Sequence, residues 1–147
     1  MQKILFTVCF ISAFISANAQ SKIDVLHYKY EIELSDMSDS IKGKASIQIK
    51  FNQETDNFSL DLKAVSNGKG MLAHPYLEGD TVNLIGKQSA NKLDIKLLQP
   101  AKKDDIKTFI VYYKGIPSDG LIISKTKYGQ RSFFADNWPN RGHNWIP

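Results

Sequence analysis

A strict alternation of apolar and polar residues is the feature that most limits how this chain can fold. From 25 to 34, tyrosines and aliphatic residues alternate with charged ones, and the pattern returns from 45 to 51 after a polar stretch at 36–40. A period of two places every second side chain on the same face of an extended strand. Two such runs joined by a short polar loop predict a β-hairpin.

Further short strands are predicted over 58–62, 81–85, 93–97, 109–113, 121–123 and 132–135. The stretch from 67 to 79 is expected to be irregular, because Pro75 lacks the amide proton that a central strand needs. Apolar residues do not recur with a helical period over the length of a helix. The sequence therefore predicts an all-β chain, folded as a β-sandwich or as a large curved, saddle-like, mostly antiparallel sheet.

The N-terminus has the three parts of a secretory signal peptide. A positive start ending at Lys3 precedes an apolar run over 4–15, and Ala17-Asn18-Ala19 supplies the small-x-small pattern that signal peptidase recognises. The apolar run is shorter than the roughly 20 residues that span a bilayer. We therefore expect a signal peptide over 1–19, cleavage after Ala19, and a single secreted or periplasmic domain over 20–147.

Composition limits the partners of this domain. The single cysteine, Cys9, lies inside the signal sequence, so the domain that remains has no disulfide, thiol nucleophile or cysteine ligand. The net charge of +4 is spread out, and Lys102-Lys103 is followed at once by Asp104-Asp105. Without a basic stripe, nucleic acid is not an expected partner. No second apolar run approaches membrane-spanning length, so no membrane contact is expected after the signal is removed.

The chain carries no recognisable catalytic motif. His27, His74 and His143 stand far apart, and none belongs to an H-E-x-x-H sequence, which places two imidazoles and a general base on one helical face. A G-x-S-x-G elbow and a phosphate-binding loop are also missing from the sequence. We expect no catalytic residue, no metal site and no cofactor in this polypeptide.

The composition changes over 128–147, where aromatic residues, amides and arginine are concentrated and both tryptophans of the chain occur. Aromatic faces beside a few oriented polar groups suit a binding surface. Tryptophan is also highly buried on average, so the same stretch fits core tryptophans with polar caps. The residues alone leave both interpretations open.

This stretch also resembles a segment of the aminopeptidase N-like family of zinc metallopeptidases, the gluzincins. The likeness is carried by 133–147, which ends in Trp145-Ile146-Pro147, an aromatic-apolar-proline triplet that an Asp-x-Pro element normally follows in that family. Upstream, 27–34 with 41–49 resembles the opening hairpin of the family, and 112–117 resembles its Y-x-G strand end. The likeness spans roughly Val25 to Pro147.

The resemblance implies a non-catalytic N-terminal domain that ends before the catalytic domain begins. That missing domain would carry H-E-x-x-H and the zinc ion, and this one would pack on it and line the cleft for the peptide N-terminus. Asp136, Asn137 and Trp138 would be the substrate-binding residues. The family usually has Gln-x-Glu here to accept the substrate amine, and Asp136 and Trp138 hold those places. Asp136 can act as an anionic acceptor, whereas Trp138 cannot.

Two further expectations follow. The domain would be incomplete at its C-terminal end, which would leave a sheet edge or face open. The alternative to a peptidase domain is a free-standing secreted β-sandwich that binds carbohydrate or protein through its aromatic C-terminal end.

Overall fold

The computed structural model describes residues 21–79 and 84–147, so the expected signal peptide lies outside the described residues. This part of the chain forms nine strands and one short 3-10 helix, Gly142–Asn144, and it contains no helix long and apolar enough to cross a membrane. The strands are β1 (Ile23–Ser35), β2 (Ser38–Phe51), β3 (Thr55–Asp61), β4 (Gly70–Leu77), β5 (Ile85–Ser89), β6 (Lys92–Ala101), β7 (Ile106–Ile116), β8 (Leu121–Lys125) and β9 (Arg131–Ala135).

All strand pairs between these elements are antiparallel. One sheet has the order β1-β2-β7-β4, a second has the order β3-β6-β5, and β8 pairs with β9 as a separate hairpin. The hairpin predicted from the first two alternating runs is β1–β2, with Tyr30 opposite Ala45. The predicted all-β, mostly antiparallel class is confirmed for the described residues.

Both larger sheets contribute alternate residues to one hydrophobic core, which explains the period of two in the sequence. Three phenylalanines, Phe51, Phe58 and Phe109, join the two sheets, with ring centroids 4.8 to 6.2 Å apart. Burying each such side chain stabilises the fold by about 1.5–3 kcal/mol. The fully buried core residues include Ile41, Ile47, Ile49, Phe51, Leu62, Met71, Leu93, Ile95, Phe109 and Val111.

The stretch predicted to be irregular contains β4, so that prediction is wrong over Gly70–Leu77. Pro75 lies opposite Val111, and its carbonyl oxygen accepts a hydrogen bond from the amide of Leu84, on the side away from β7. In an antiparallel strand the N–H and C=O of one residue point to the same side. The amide proton that Pro75 lacks would therefore have pointed away from the sheet, and proline is tolerated on this edge strand.

Two strand boundaries also differ from the sequence prediction. Strand β5 begins at Ile85, where the predicted strand ended, and 81–83 lie outside the described residues. Strand β6 continues to Ala101, although 100–105 was expected to be loop, because Ala101 is fully buried and pairs with Thr55. The charged loop therefore starts at Lys102.

Tyr113 of β7 lies against Gly43 of β2, directly opposite in the sheet. A Cβ atom built on Gly43 would stand 2.0 Å from the Cζ atom of Tyr113, so the ring occupies the space that any side chain at 43 would need. The Tyr113 hydroxyl is buried and has no hydrogen-bond partner among the described residues. Burial raises the pKa of Tyr113 to about 12, because a phenolate would lose its hydration there.

Candidate functional site

The predicted site residues follow directly after the β8–β9 hairpin. Ile122 lies opposite Phe134 in this hairpin, and β9 ends at Ala135. The backbone amide of Asp136 then donates to the carbonyl of Gly120, 2.8 Å away. This bond fixes where the loop leaves the hairpin.

Arg141 holds the loop closed. Its Nη2 atom pairs with the Asp136 carboxylate, its Nη1 atom lies 3.5 Å from a carboxylate oxygen of Asp119, and its Nε donates to the Trp138 carbonyl at 2.9 Å. The backbone amide of Arg141 donates to the carbonyl of Asn137, also at 2.9 Å. The planar guanidinium can serve these acceptors together, which a lysine ammonium on a flexible stem does less well.

Trp145 anchors the loop to the core. Its side chain is buried, and its indole N–H donates to Oδ1 of Asn137 at 2.9 Å. The amide of Lys63 donates to the carbonyl of His143 at 2.7 Å, which joins this segment to the chain that follows β3. Of the two interpretations of the tryptophans, the core one is right for Trp145.

Gly120 is required for this packing. Its φ of +79° lies in the left-handed region, and a Cβ atom there would stand 2.6 Å from the carbonyl oxygen of Arg141. Both the backbone conformation and the close approach exclude other residues at this position.

The three residues predicted as a substrate-binding set are thus consecutive but differ in role. Asp136 is engaged by Arg141, and Asn137 uses its side-chain oxygen for Trp145. Trp138 is 79% exposed. Its indole therefore lies in solvent, while the hydrogen bonds of Asp136 and Asn137 fix the loop that carries it. Such an aromatic face offers apolar contact area to a ligand.

A second surface, which sequence reasoning did not identify as a site, lies between β1, β3 and the C-terminal segment. This groove has a volume of about 450 Å³. Tyr28 and Tyr30 form one wall with stacked rings, whose centroids are 5.6 Å apart. The remaining lining includes Val25, Ser59, Leu60, Asp61, Asn140, His143, Ile146 and Pro147. The alternating tyrosines are the available signal, but the sequence pattern only places them on one face of a strand and does not predict a groove.

The two groove tyrosines are held neutral. Burial raises the pKa of Tyr28, and the negative charge of Asp61 adds to the effect. Burial also raises the pKa of Tyr30, with smaller contributions from Tyr28 and Tyr113. The Tyr30 hydroxyl donates to the Pro147 carbonyl at 2.7 Å. Both phenols therefore keep their protons to higher pH than an ordinary tyrosine.

The histidines are dispersed in the fold: His27 is in β1, His74 is in β4 and His143 is in the 3-10 helix. In the described ranges, 21–79 and 84–147, no three His, Cys, Asp or Glu residues are close enough to hold a metal ion. The donor set of these ranges does not fit a zinc site.

No protein-family model matches this chain, and no curated protein matches it. Solved structures do match. The crystal structure of an M1 zinc metallopeptidase from Deinococcus radiodurans aligns with a TM-score of 0.66 and 19% identity, over 87% of this chain and 29% of that one. A mutant M1 zinc metallopeptidase from that organism, bound to a Tyr-Ser-Ala substrate, aligns with a TM-score of 0.65 and 17% identity over the same shares.

This chain has a fold found in M1 zinc metallopeptidases. A mutant two-domain M1 zinc metallopeptidase bound to L-tryptophan adds a third match, with a TM-score of 0.60 and 16% identity over 87% of this chain and 29% of that one. The resemblance inferred from the sequence is confirmed at the level of the fold. The chain spans less than a third of the length of the M1 enzymes that it matches.

Proposed function

We propose that this chain is the non-catalytic N-terminal domain of a secreted M1-type zinc aminopeptidase, with a β-sandwich architecture that includes a curved, saddle-like sheet. The observation that carries the proposal is the fold match to the Deinococcus radiodurans M1 zinc metallopeptidase. The match covers 87% of this chain but only 29% of that enzyme. A domain that accounts for under a third of a peptidase, and whose described part lacks a metal-binding cluster, serves as scaffold and as cleft wall.

The partner in this proposal is a catalytic domain in the same polypeptide. An exposed apolar surface on the β8–β9 hairpin and the following loop supports such a contact: Ile122 is 45% exposed, Phe134 is 64% exposed and Trp138 is 79% exposed. Grouped apolar exposure of this kind marks interaction surfaces. Packing against a second domain would bury these side chains.

Trp138 would form part of the wall that receives the peptide N-terminus. Asp136 and Asn137 hold this indole in place through Arg141 and Trp145, and the Asp136 carboxylate would add negative charge near the substrate ammonium. The proposed substrate is thus a peptide with a free amino terminus.

The zinc ion would be bound by the catalytic domain, through H-E-x-x-H and a distal glutamate. There the metal would polarise the scissile carbonyl and activate water. The residues described in this chain would bind and orient the substrate. The signal-like leader supports secretion or a periplasmic location, with cleavage after Ala19.

The coding sequence downstream of Pro147 tests this proposal directly. We expect an Asp-x-Pro element at once, and H-E-x-x-H with a distal glutamate farther on. A stop codon directly after Pro147 would contradict the proposal.

The second candidate is a free-standing secreted module that binds carbohydrate. The observation that favours it is the groove with stacked Tyr28 and Tyr30, beside polar Asp61, Asn140 and His143. Sugar rings stack on such faces, and the polar groups can reach their hydroxyls. Calorimetric titration with a panel of oligosaccharides tests it. Binding that Tyr28→Ala abolishes would support this candidate, and no heat with any sugar would exclude it.

A further inference from the structure

We propose that Arg131 is a positioning residue, which orients the β8–β9 hairpin and with it the loop that carries Trp138. This role rests on the proposed function, in which Trp138 belongs to the wall that receives the peptide N-terminus. Arg131 is the first residue of β9, and its Nη2 atom pairs with the carboxylate of Asp39 near the start of β2. The two residues are 92 positions apart in the chain. One ion pair thus joins the hairpin to the four-stranded sheet.

The hairpin has an inner and an outer face, and Arg131 belongs to the inner one. Alternate residues of a strand share a face, so Arg131 lies on the same side as Phe133. Phe133 lies opposite Ile123, which packs against the core. On the outer face Ile122 lies opposite Phe134, and both are exposed. The contact that holds the inner face therefore also determines where the exposed apolar face points.

The two ends of the hairpin are anchored differently. At the end next to the Trp138 loop, Leu121 is buried in the core and pairs with Ala135. At the other end, residues 124–130 are exposed. Among the described residues, Arg131–Asp39 is the only ion pair between this hairpin and another strand. A hairpin fixed at one end can tilt about that end, so the ion pair at the other end sets its orientation.

The surroundings of Arg131 make it depend on its counter-ion. Its side chain is only 19% exposed, whereas that of Asp39 is 56% exposed. The guanidinium carbon lies 5.9 Å from the centre of the Phe133 ring, and the Nε atom is buried without a hydrogen-bond partner among the described residues. Removing one partner of such a pair leaves a charge that water cannot solvate. Losing the carboxylate of Asp39 should therefore disturb the hairpin more than losing the charge of Arg131.

Three variants measure this asymmetry. Asp39→Asn leaves the guanidinium without its counter-ion, so the amides of β8 and β9 should exchange their hydrogens about 10-fold faster. Arg131→Met removes the charge and keeps a long apolar side chain beside Phe133, so exchange should rise about 3-fold or less. Adding Asp39→Asn to Arg131→Met should cause no further increase, because no unpaired charge remains.

Asp104→Asn is the matched control. It breaks the ion pair between Lys50 and Asp104 by the same change from carboxylate to amide, and the side chain of Lys50 is 39% exposed, against 19% for Arg131. Asp104 has a φ of +67°, a conformation that asparagine adopts readily. Amide exchange in the hairpin should stay as it is in the parent chain.

Two measurements separate anchoring from positioning. Hydrogen–deuterium exchange of the purified chain, resolved to single amides, tests whether the ion pair anchors the hairpin. Steady-state kinetics of the product of the complete open reading frame test whether the anchored hairpin positions the substrate wall. There Asp39→Asn should raise KM for short peptides about 5-fold and leave kcat within about 2-fold, since the hairpin would contact substrate without taking part in the chemistry. Faster exchange confined to β8 and β9, together with this rise in KM, would support the proposal.

The contrary outcomes are distinct. Unchanged exchange in Asp39→Asn would overturn the anchoring role, and so would an additional increase when Asp39→Asn is combined with Arg131→Met. Faster exchange with an unchanged KM would overturn the positioning role while leaving the proposed function in place. A complete product without peptidase activity would instead contradict the proposed function, and with it the positioning of Trp138 for a peptide.

Discussion

The guanidinium of Arg141 pairs with the carboxylate of Asp136, five residues earlier, and also donates to the carbonyl of Trp138 between them. One side chain thus closes the loop that holds the exposed indole. The sequence analysis predicts this carboxylate as a substrate-binding group. In the fold it also holds the loop in place through its ion pair with Arg141.

Replacing Arg141 with alanine should destabilise this loop. Hydrogen bonds to charged groups contribute about 1.5–3 kcal/mol each when partly buried, and solvent screening reduces this value because about a third of the side chain is exposed. We expect the free energy of unfolding to fall by about 1–2 kcal/mol. Urea unfolding followed by tryptophan fluorescence measures it. Lys127→Ala in the exposed hairpin turn is the control, and equal losses in both variants would contradict the assigned role.

Trp138→Ala should leave the fold intact and weaken substrate use by the proposed full-length aminopeptidase. The indole is 79% exposed, so its removal costs little stability, whereas the proposed contact with the peptide would be lost. We expect kcat/KM for short peptides to fall about 10-fold, equivalent to about 1.4 kcal/mol. Tyr128, which is 78% exposed at the hairpin tip, supplies the matched control Tyr128→Ala. An unchanged kcat/KM for Trp138→Ala would contradict the proposed contact between Trp138 and the peptide.

Gly43→Ala should be strongly destabilising. The new methyl group would overlap the ring of Tyr113, which is itself confined in the core. Overpacking of this kind costs about 1–3 kcal/mol. Gly142→Ala is the control, because the nearest atom to a Cβ there is 3.7 Å away. Thermal unfolding compares the two, and a melting temperature for Gly43→Ala close to that of the control would show that the ring moves aside freely.

Stability should fall at alkaline pH, in part through Tyr113. The ordinary tyrosine pKa is about 10, and burial raises the pKa of Tyr113 to about 12. Between these values the unfolded chain releases the phenolic proton and the folded chain retains it, so the free energy of unfolding decreases as pH rises. Below pH 10 both states keep the proton and the contribution is constant. Tyr28 and Tyr30, whose pKa values are also raised, act in the same direction.

Tyr113→Phe isolates this contribution. It removes a buried hydroxyl without a described partner, so stability near neutral pH should stay the same or rise by about 1 kcal/mol. Between pH 10 and 12 the decline should be shallower by up to about 1.4 kcal/mol per pH unit. Urea unfolding across this range measures both effects. A profile parallel to that of the parent chain would show that Tyr113 ionises as readily folded as unfolded.

The alternating pattern was sufficient to predict the strand class, because the burial of every second residue in a sheet is a local property. It predicted the β1–β2 hairpin and the positions of β3, β7, β8 and β9. It missed β4, since the tolerance of Pro75 depends on that strand lying at an edge, which only the long-range pairing with β7 decides.

The sequence was sufficient to locate the segment of the candidate site, but not to predict the contacts between its side chains. The concentration of aromatic and polar residues marked 128–147, and Trp138 is exposed in this stretch. The engagement of Asp136 by Arg141 and of Asn137 by Trp145 depends on how the loop folds back, which residue types and spacing do not determine. The groove between β1 and β3 was missed for the same reason, because it forms between distant parts of the chain.

Hydrolysis of an aminoacyl p-nitroanilide by the product of the complete open reading frame tests the proposed parentage most directly. We predict that this product releases nitroaniline, that chelation abolishes the activity and that zinc restores it, while the chain of residues 1–147 alone is inactive. Absence of hydrolysis by the complete product, or hydrolysis by the 147-residue chain alone, would contradict the assignment of this chain as a scaffold domain.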